Sequence, residues 1–373
     1  MRVITAFKML FYDRSTTAGS ILGVVAIVFL VGQQLAVLFG LFTYMSVLVD
    51  HAGADIWVCS RNAENINSTD SIPDYYLDRI SGISSIRWAE PLIFGGGSFR
   101  RADGKYNGVQ VVGLRPPRMA GGPWKFARGS IDNLFEYDAV SVEQTDLDTL
   151  GNPEYGKYYE INGIKVKVNA ITKKIKGFAG SLVFTNLVKA KEILNFPKNR
   201  YSAIMIKLKD GIDINSTVKE IQKILPNAKV ISASDLSRKT RFYYIRNTGM
   251  GGSFGFSTLI GAMVGIVIIM LTMYTGVLNR QKDFAILRAL GARKWDIAVI
   301  VFCQALIIGA AGIIIGFLLL SFFLSSTMNS KLPTYMPYWL PFYHAAFTLF
   351  LCFLGSLLAM NKAVSIEPAS VFR

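Results

Sequence analysis

Four long stretches of the chain contain no Asp, Glu, Lys or Arg: Ser15–Val49, 247–279, Ile297–Ser330 and Phe342–Met360. Uncharged apolar runs of this length do not fit on the surface of a water-soluble domain. They belong in a bilayer, where about 20 helical residues cross the hydrocarbon. At 1.5 Å per residue the first run would reach about 50 Å, so its helix is expected to continue past the membrane as a stalk. Gln33 and Gln34 lie near its middle and are expected to face a neighbouring helix, because an amide is costly against lipid. No run carries an ionisable Asp, Glu, Lys or Arg at its core, which argues against a proton- or sodium-coupled transporter. Energy for any work would come from elsewhere.

Charge placement supports the same layout. The chain has 373 residues, is 51% hydrophobic and carries a net charge of +15. Such a basic excess suits nucleic-acid binding in general, but ten of the eleven Lys and Arg outside 50–246 flank the apolar runs on one side. That is the distribution of charges that orient spans, and no aromatic-basic stripe accompanies it. The N-terminus, 279–296 and the C-terminus carry Lys or Arg, whereas the loop 326–341 has only Lys331. Both termini and 279–296 are therefore expected in the cytoplasm of a bacterium, the protein in its inner membrane, and 50–246 outside. The implied order is an amphipathic helix at 1–14, with Val3, Ala6, Phe7 and Leu10 on one side, then span one and stalk at 15–49. The insertion 50–246 follows, then stalk and span two at 247–278, the polar segment 279–296, and span three at 297–325. Loop 326–341, with Tyr335, Tyr338 and Trp339 as interfacial anchors, leads to span four at 342–361 and the tail 362–373. The fold class is an α-helical membrane protein with a large α+β domain inserted between its first two spans.

Within the insertion, two parts read alike as strand–helix–strand: 50–94, around Ala54–Val58, Asp74–Ile80 and Ile86–Ala89, and 200–235, around Ala203–Leu208, Ser216–Leu225 and Lys229–Ile231. They are expected to be halves of one membrane-proximal α+β subdomain. The stretch 95–199 between them is rich in strand and turn signals, including the two-residue hairpin turn Asn162-Gly163, and is expected to form a second, β-rich subdomain. The glycines of 249–255 suggest a hinge.

Enzymatic chemistry finds little support. Gly151 to Lys157 has P-loop spacing, but Tyr158 replaces the magnesium-binding hydroxyl and Pro153 sits inside the loop. His51 and His344 have no i+4 ligand partner and read as satisfied interfacial residues. Cys59 is alone in the insertion, and Cys303 and Cys352 fall in apolar runs as packing groups. Asp146 and Asp148 read as a solvated turn, and Asp13 as a local ion pair with Arg14.

The remaining segment is Asn279–Asp296. Phe284, Leu287 and Leu290 recur at helical spacing, Arg280, Lys282, Asp283 and Arg288 occupy the other faces, and Gly291 stands where a helix ends with positive φ. Such a helix can lie on the membrane, press its stripe into a partner's groove, or be an ordinary basic loop. The lack of mid-membrane charge favours the groove.

Residues 280–292, the basic N-terminal end and the closing Glu367-Pro-Ala-Ser-Val-Phe-Arg373 resemble the permeases related to MacB, FtsX and the lipoprotein-release systems (type VII ABC transporters). Where this chain has Asp283, such permeases more often have Glu. In lacking a fused ATPase domain the chain is most similar in layout to DevC-type and lipoprotein-release permeases. The resemblance implies a non-catalytic subunit, with ATP and Mg bound by a separate ABC ATPase and no cofactor on this chain. Arg280, Lys282, Asp283, Phe284, Leu287, Arg288, Leu290 and Gly291 would form the coupling helix seated on that ATPase. It further implies a second permease copy, in a homodimer more readily than with a paralogue, and an adaptor (membrane-fusion) protein with an outer-membrane channel. Alternatives are an FtsX-like signalling permease that regulates a cell-wall hydrolase, or a membrane-anchored sensor or enzyme with its chemistry in 50–246.

Overall fold

The structure, a computed structural model, describes residues 2–67, 70–178, 180–327 and 332–366. Ser330, Lys331, the tail 367–373 and the side chains of Arg2 and Val3 lie outside the described residues. The helices are α1 (Arg2–Tyr12), α2 (Arg14–Met45), α3 (Val47–His51), α4 (Tyr75–Ser81), α5 (Leu187–Ile193), α6 (Ile214–Ile224), α7 (Ala233–Asn247), α8 (Met250–Asn279), α9 (Gln281–Ala289), α10 (Lys294–Thr327) and α11 (Leu340–Ser365). Two compact units result: one from the described residues up to Gly40 and from Gly252 on, the other from Leu41–Gly251.

In the helical unit, α2, α8, α10 and α11 are each long and apolar enough to cross a membrane. With no hydrophobic effect to gather them in lipid, close backbone approach must do so. Gly312 and Gly316, one turn apart on α10, receive the side chains of Val24 and Val28 of α2; a Cβ at these glycines would lie 2.5 and 2.6 Å from the Cβ atoms of Val24 and Val28. Gly316→Leu is accordingly expected to cost about 1–3 kcal/mol by overpacking. Gly261→Ala on α8, whose added Cβ would stand 3.6 Å from Val31, is expected to leave thermal stability in detergent unchanged. Ala6 and Leu10 of α1 join this core, while Phe7 and Phe11 meet at 4.7 Å, their rings tilted by 44°, on its exposed side. Gly251, Gly252 and Gly255 are helical residues of α8; of the glycine run, only Gly249, with φ +72°, breaks the chain between α7 and α8. Apolar neighbours outweigh the modest helix penalty of glycine here.

The inserted unit is built on strands β1 (Ile56–Ser60), β2 (Ile72–Pro73), β3 (Ile86–Arg100), β4 (Tyr106–Leu114), β5 (Phe126–Arg128), β6 (Ala139–Glu143), β7 (Tyr158–Ile161), β8 (Ile164–Thr172), β9 (Ser181–Asn186), β10 (Arg200–Tyr201), β11 (Ala203–Leu208) and β12 (Ala228–Ser232). The two strand–helix–strand parts interleave: β1 lies antiparallel between β11 and β12, and β11 pairs in turn with β3. Alternate side chains of β1 reach different cores. Ile56 and Val58 meet Tyr76, Leu77 and Ile80 of α4 and Ile221 of α6, whereas Trp57 and Cys59 belong with Met205 and Phe184. The 15-residue β3 then leaves β11 and pairs with β4, and the sheet continues β4-β9-β6-β8-β5, with β7 bridging β3 and β8. The β-rich stretch is thus an extension of the same ten-stranded sheet, not a second one. Asn162 (φ +51°) and Gly163 (φ +77°) close the β7–β8 hairpin, both central residues taking the positive φ of a type I′ turn.

Candidate functional site

The segment between α8 and α10 is a single short helix held on two sides. Arg280 ends the run of α8 with φ −116°, and α9 begins at Gln281. At its other end the Gly291 N–H donates to the Arg288 carbonyl at 3.0 Å and the Ala292 N–H to that of Leu287 at 3.0 Å, with Gly291 at φ +97°. This is a Schellman termination, in which glycine tolerates the left-handed position and satisfies carbonyls the helix leaves open. The next helix follows at once: the Asp296 carboxylate accepts from the Arg293 N–H at 2.9 Å, fixing the start of α10.

Packing sorts the expected site residues into two groups. Phe284, 1% exposed, and Ala285 pack among Ala6, Leu10, Ile297 and Ala363, so the start of the expected outward stripe points into the helical unit. Leu287 lies against the same core, half-buried. Arg288 donates through Nη1 to the carbonyls of Val364 and Ile366, at 3.2 and 2.6 Å. It thereby satisfies carbonyls at the end of α11. Arg280 is 8% exposed and faces Asp13, Nη2 to Oδ2 at 3.7 Å. Burial holds its guanidinium below its ordinary value, opposed by Asp13 and Asp283. Asp13 therefore pairs across the unit with Arg280 and not, as its neighbour suggested, with Arg14.

Lys282, Asp283, Leu290 and Gly291 remain in solvent. Two residues that sequence reasoning passed over join them: Ile286, one turn from both Lys282 and Leu290, and Trp295. Leu290 and Trp295 are 80% and 72% exposed. The spacing 282, 286, 290 was readable as a helical row; that this row and not Phe284–Leu287 turns outward is decided by α1 and α11. On α9 the result is an exposed apolar pair, Ile286 and Leu290, on the same helix as the opposite charges of Lys282 and Asp283, suited to a protein groove.

Other candidates resolve differently. Glu154 accepts from Lys157 Nζ at 2.7 Å within the turn before β7, the one with P-loop spacing. His51 stacks on Trp124 at 3.9 Å, and His344 is buried in α11 with Nε2 2.9 Å from the Val28 carbonyl, so it is a core group and not an interfacial one. Asp146 is no solvated turn, since its carboxylate accepts from Ser181 Oγ at 2.6 Å. Burial pushes the Cys59 thiol up to about 12, leaving it protonated at neutral pH. Among the described residues no three His, Cys, Asp or Glu side chains group to hold a metal. Gln304, buried in α10, was not anticipated, while Gln33 and Gln34 are half-buried.

Comparison with known proteins fits this layout. The MacB-like periplasmic core domain family matches residues 16–224, and the FtsX-like permease C-terminal family matches 255–368. An uncharacterized ABC transporter permease of Methanocaldococcus jannaschii is 29% identical over 171 residues, covering 44% of this chain and 42% of the relative. The chain thus spans less than half the length of that relative. The periplasmic region of MacB from Actinobacillus actinomycetemcomitans superposes with a TM-score of 0.40 at 12% identity, over 50% of this chain and 93% of that one. The extracellular domain of the noncanonic ABC-type transporter YknZ from Gram-positive bacteria gives 0.36 at 12% identity, over 48% and 98%. With one family model on the insertion and its leading span, and another on the last three spans and the helix between them, the chain belongs to the MacB/FtsX-like ABC transporter permeases.

Proposed function

We propose that this permease is the mechanical subunit of a complex powered by a separate ABC ATPase, with α9 as the coupling helix. ATP and Mg would be held by the ATPase and none by this chain. Lys282, Asp283, Ile286, Leu290 and Gly291 would seat in the ATPase groove, while Arg280, Phe284, Leu287 and Arg288 carry the load into the helical unit. Two copies of the chain would sit on two ATPases in the inner membrane, both termini in the cytoplasm. Closure of the ATPases would then change the shape of the inserted domain outside, which drives export or extraction of a substrate through an adaptor protein and an outer-membrane channel. The observation that carries this reading is the exposed row 282–286–290 on a helix otherwise fastened on its inner side. A rigid helix with one free apolar row transmits force, whereas a floppy loop does not.

A photo-cross-linking residue at Ile286, introduced into the full chain in native membranes, tests it. Cross-linking to an ABC ATPase is the expected result. Cross-links to lipid alone would overturn the reading, and a co-purified cell-wall hydrolase in place of an adaptor would turn it toward signalling.

A further inference from the structure

Covalent continuity joins α9 to α8 on one side and to α10 on the other. The helix α2, through which the chain enters the inserted domain, has no such link, since more than 230 residues separate it from α9 in sequence. A pair of charges supplies one. Asp13 stands in the joint between α1 and α2, where Oδ1 accepts from the Thr16 N–H at 3.2 Å. Its other oxygen faces Arg280 at 3.7 Å, and Asp13 Oδ2 and Arg280 Nε have no hydrogen-bond partner among the described residues. Arg280 also lines a small cavity with Thr16 and Ser20 of α2, Gly276 of α8, Phe284 of α9 and Gln304 of α10. The amide nitrogen of the buried Gln304 is likewise unpartnered.

Arginine at a helix end ordinarily extends its head into solvent. This one is turned inward, at a cost in desolvation that attraction to a single carboxylate only offsets. A buried pair of this kind adds little stability, but it specifies position, because one placement of α9 against α2 brings the charges together. The cavity offers about 30 Å³, enough for a bridging water, so the pair can lengthen and close again without stranding a bare charge.

We propose that Asp13 and Arg280, with Gln304 beside them, are positioning residues that fasten the coupling helix to α2. Movement of α9 then reaches both ends of the inserted domain, through the continuous chain of α8 and through this pair to α2. The mechanical role rests on the reading of α9 as the driven element; the fastening does not.

Hydrogen–deuterium exchange on the full chain in phosphatidylethanolamine–phosphatidylglycerol nanodiscs tests the fastening without any ATPase. Asp13→Asn and Arg280→Gln are each expected to speed amide exchange about tenfold in both 13–20 and 281–289, and the double variant no more than either single one. The reversed pair, D13R with R280D, is expected to return both segments to within about threefold of the native rate, which lost packing alone would not permit. Should the reversed pair misfold, R280K supplies the second arm, keeping the charge and a rate within about threefold. Additive effects in the double variant, or faster exchange only in the segment that bears the substitution, would overturn the proposal. Cross-linking from Ile286 is expected to persist in Asp13→Asn, and its loss with unchanged exchange would also overturn the proposal by making the pair a docking contact. Absence of ATPase cross-links in the native chain would instead defeat the reading of α9 and leave the exchange result to judge the pair.

Discussion

Phe284→Asp collapses the helical unit, whereas the neighbouring Asp283→Ala leaves it intact: that is the expected outcome of a thermal-unfolding series in detergent. Phe284 is among the largest fully buried side chains and belongs to one core with Ala6 and Leu10 of α1, Ile297 of α10 and Ala363 of α11. Removing a buried phenylalanine costs about 3–5 kcal/mol through lost burial and the cavity left behind. A carboxylate in its place brings a second buried negative charge to the cavity where Arg280 already faces Asp13, and its desolvation adds to the cost. The combined loss approaches the whole stability of a typical domain, so no folded species is expected. Phe284→Leu, which keeps most of the volume, is expected to survive with a lowered midpoint. An aspartate tolerated at 284 would mean that α9 does not pack as described.

The second large effect has the opposite character. Ile286→Asp with Leu290→Asp is expected to leave the unfolding midpoint within a few degrees of the native value, because Leu290 is 80% and Ile286 47% exposed and their loss removes little internal packing. Binding of the ATPase is expected to fall about 100-fold, since two apolar anchors at the centre of a small interface each contribute about 1–2 kcal/mol and 1.4 kcal/mol is a factor of ten. Titration of the purified ATPase against the permease in nanodiscs reads this directly. Unchanged affinity would remove the exposed row from the interface, while a matching loss from Lys282→Ala alone would move the weight from apolar seating to charge.

How far these features can be read from sequence depends on whether a residue's own chemistry or its distant neighbours set its role. The four spans are legible because an uncharged apolar run of 19 to 35 residues has few other places to go. Gly291 is legible because the left-handed position at a helix end admits few residues, and its φ of +97° follows. The Asn162-Gly163 turn is legible for the same reason. The outward face of α9 is not, because Phe284 and Ile286 are both apolar and only α1 and α11 decide which one is covered. Asp13 shows the same limit, since adjacency to Arg14 suggested a local pair and a residue 267 positions on supplies the charge. The strand–helix–strand parts at 50–94 and 200–235 look self-contained in sequence. Their threading through one another, with β1 between two later strands, depends on pairings that no local pattern encodes.

That threading bears on how the inserted domain carries a load. β1, the first strand of the domain, is gripped on each edge by strands from its last stretch, so the domain's beginning and end share one clasp. A pull on the N-terminal end alone cannot draw β1 out without parting two ladders of backbone hydrogen bonds together, whereas β12, on the outer edge of the sheet, is held by one.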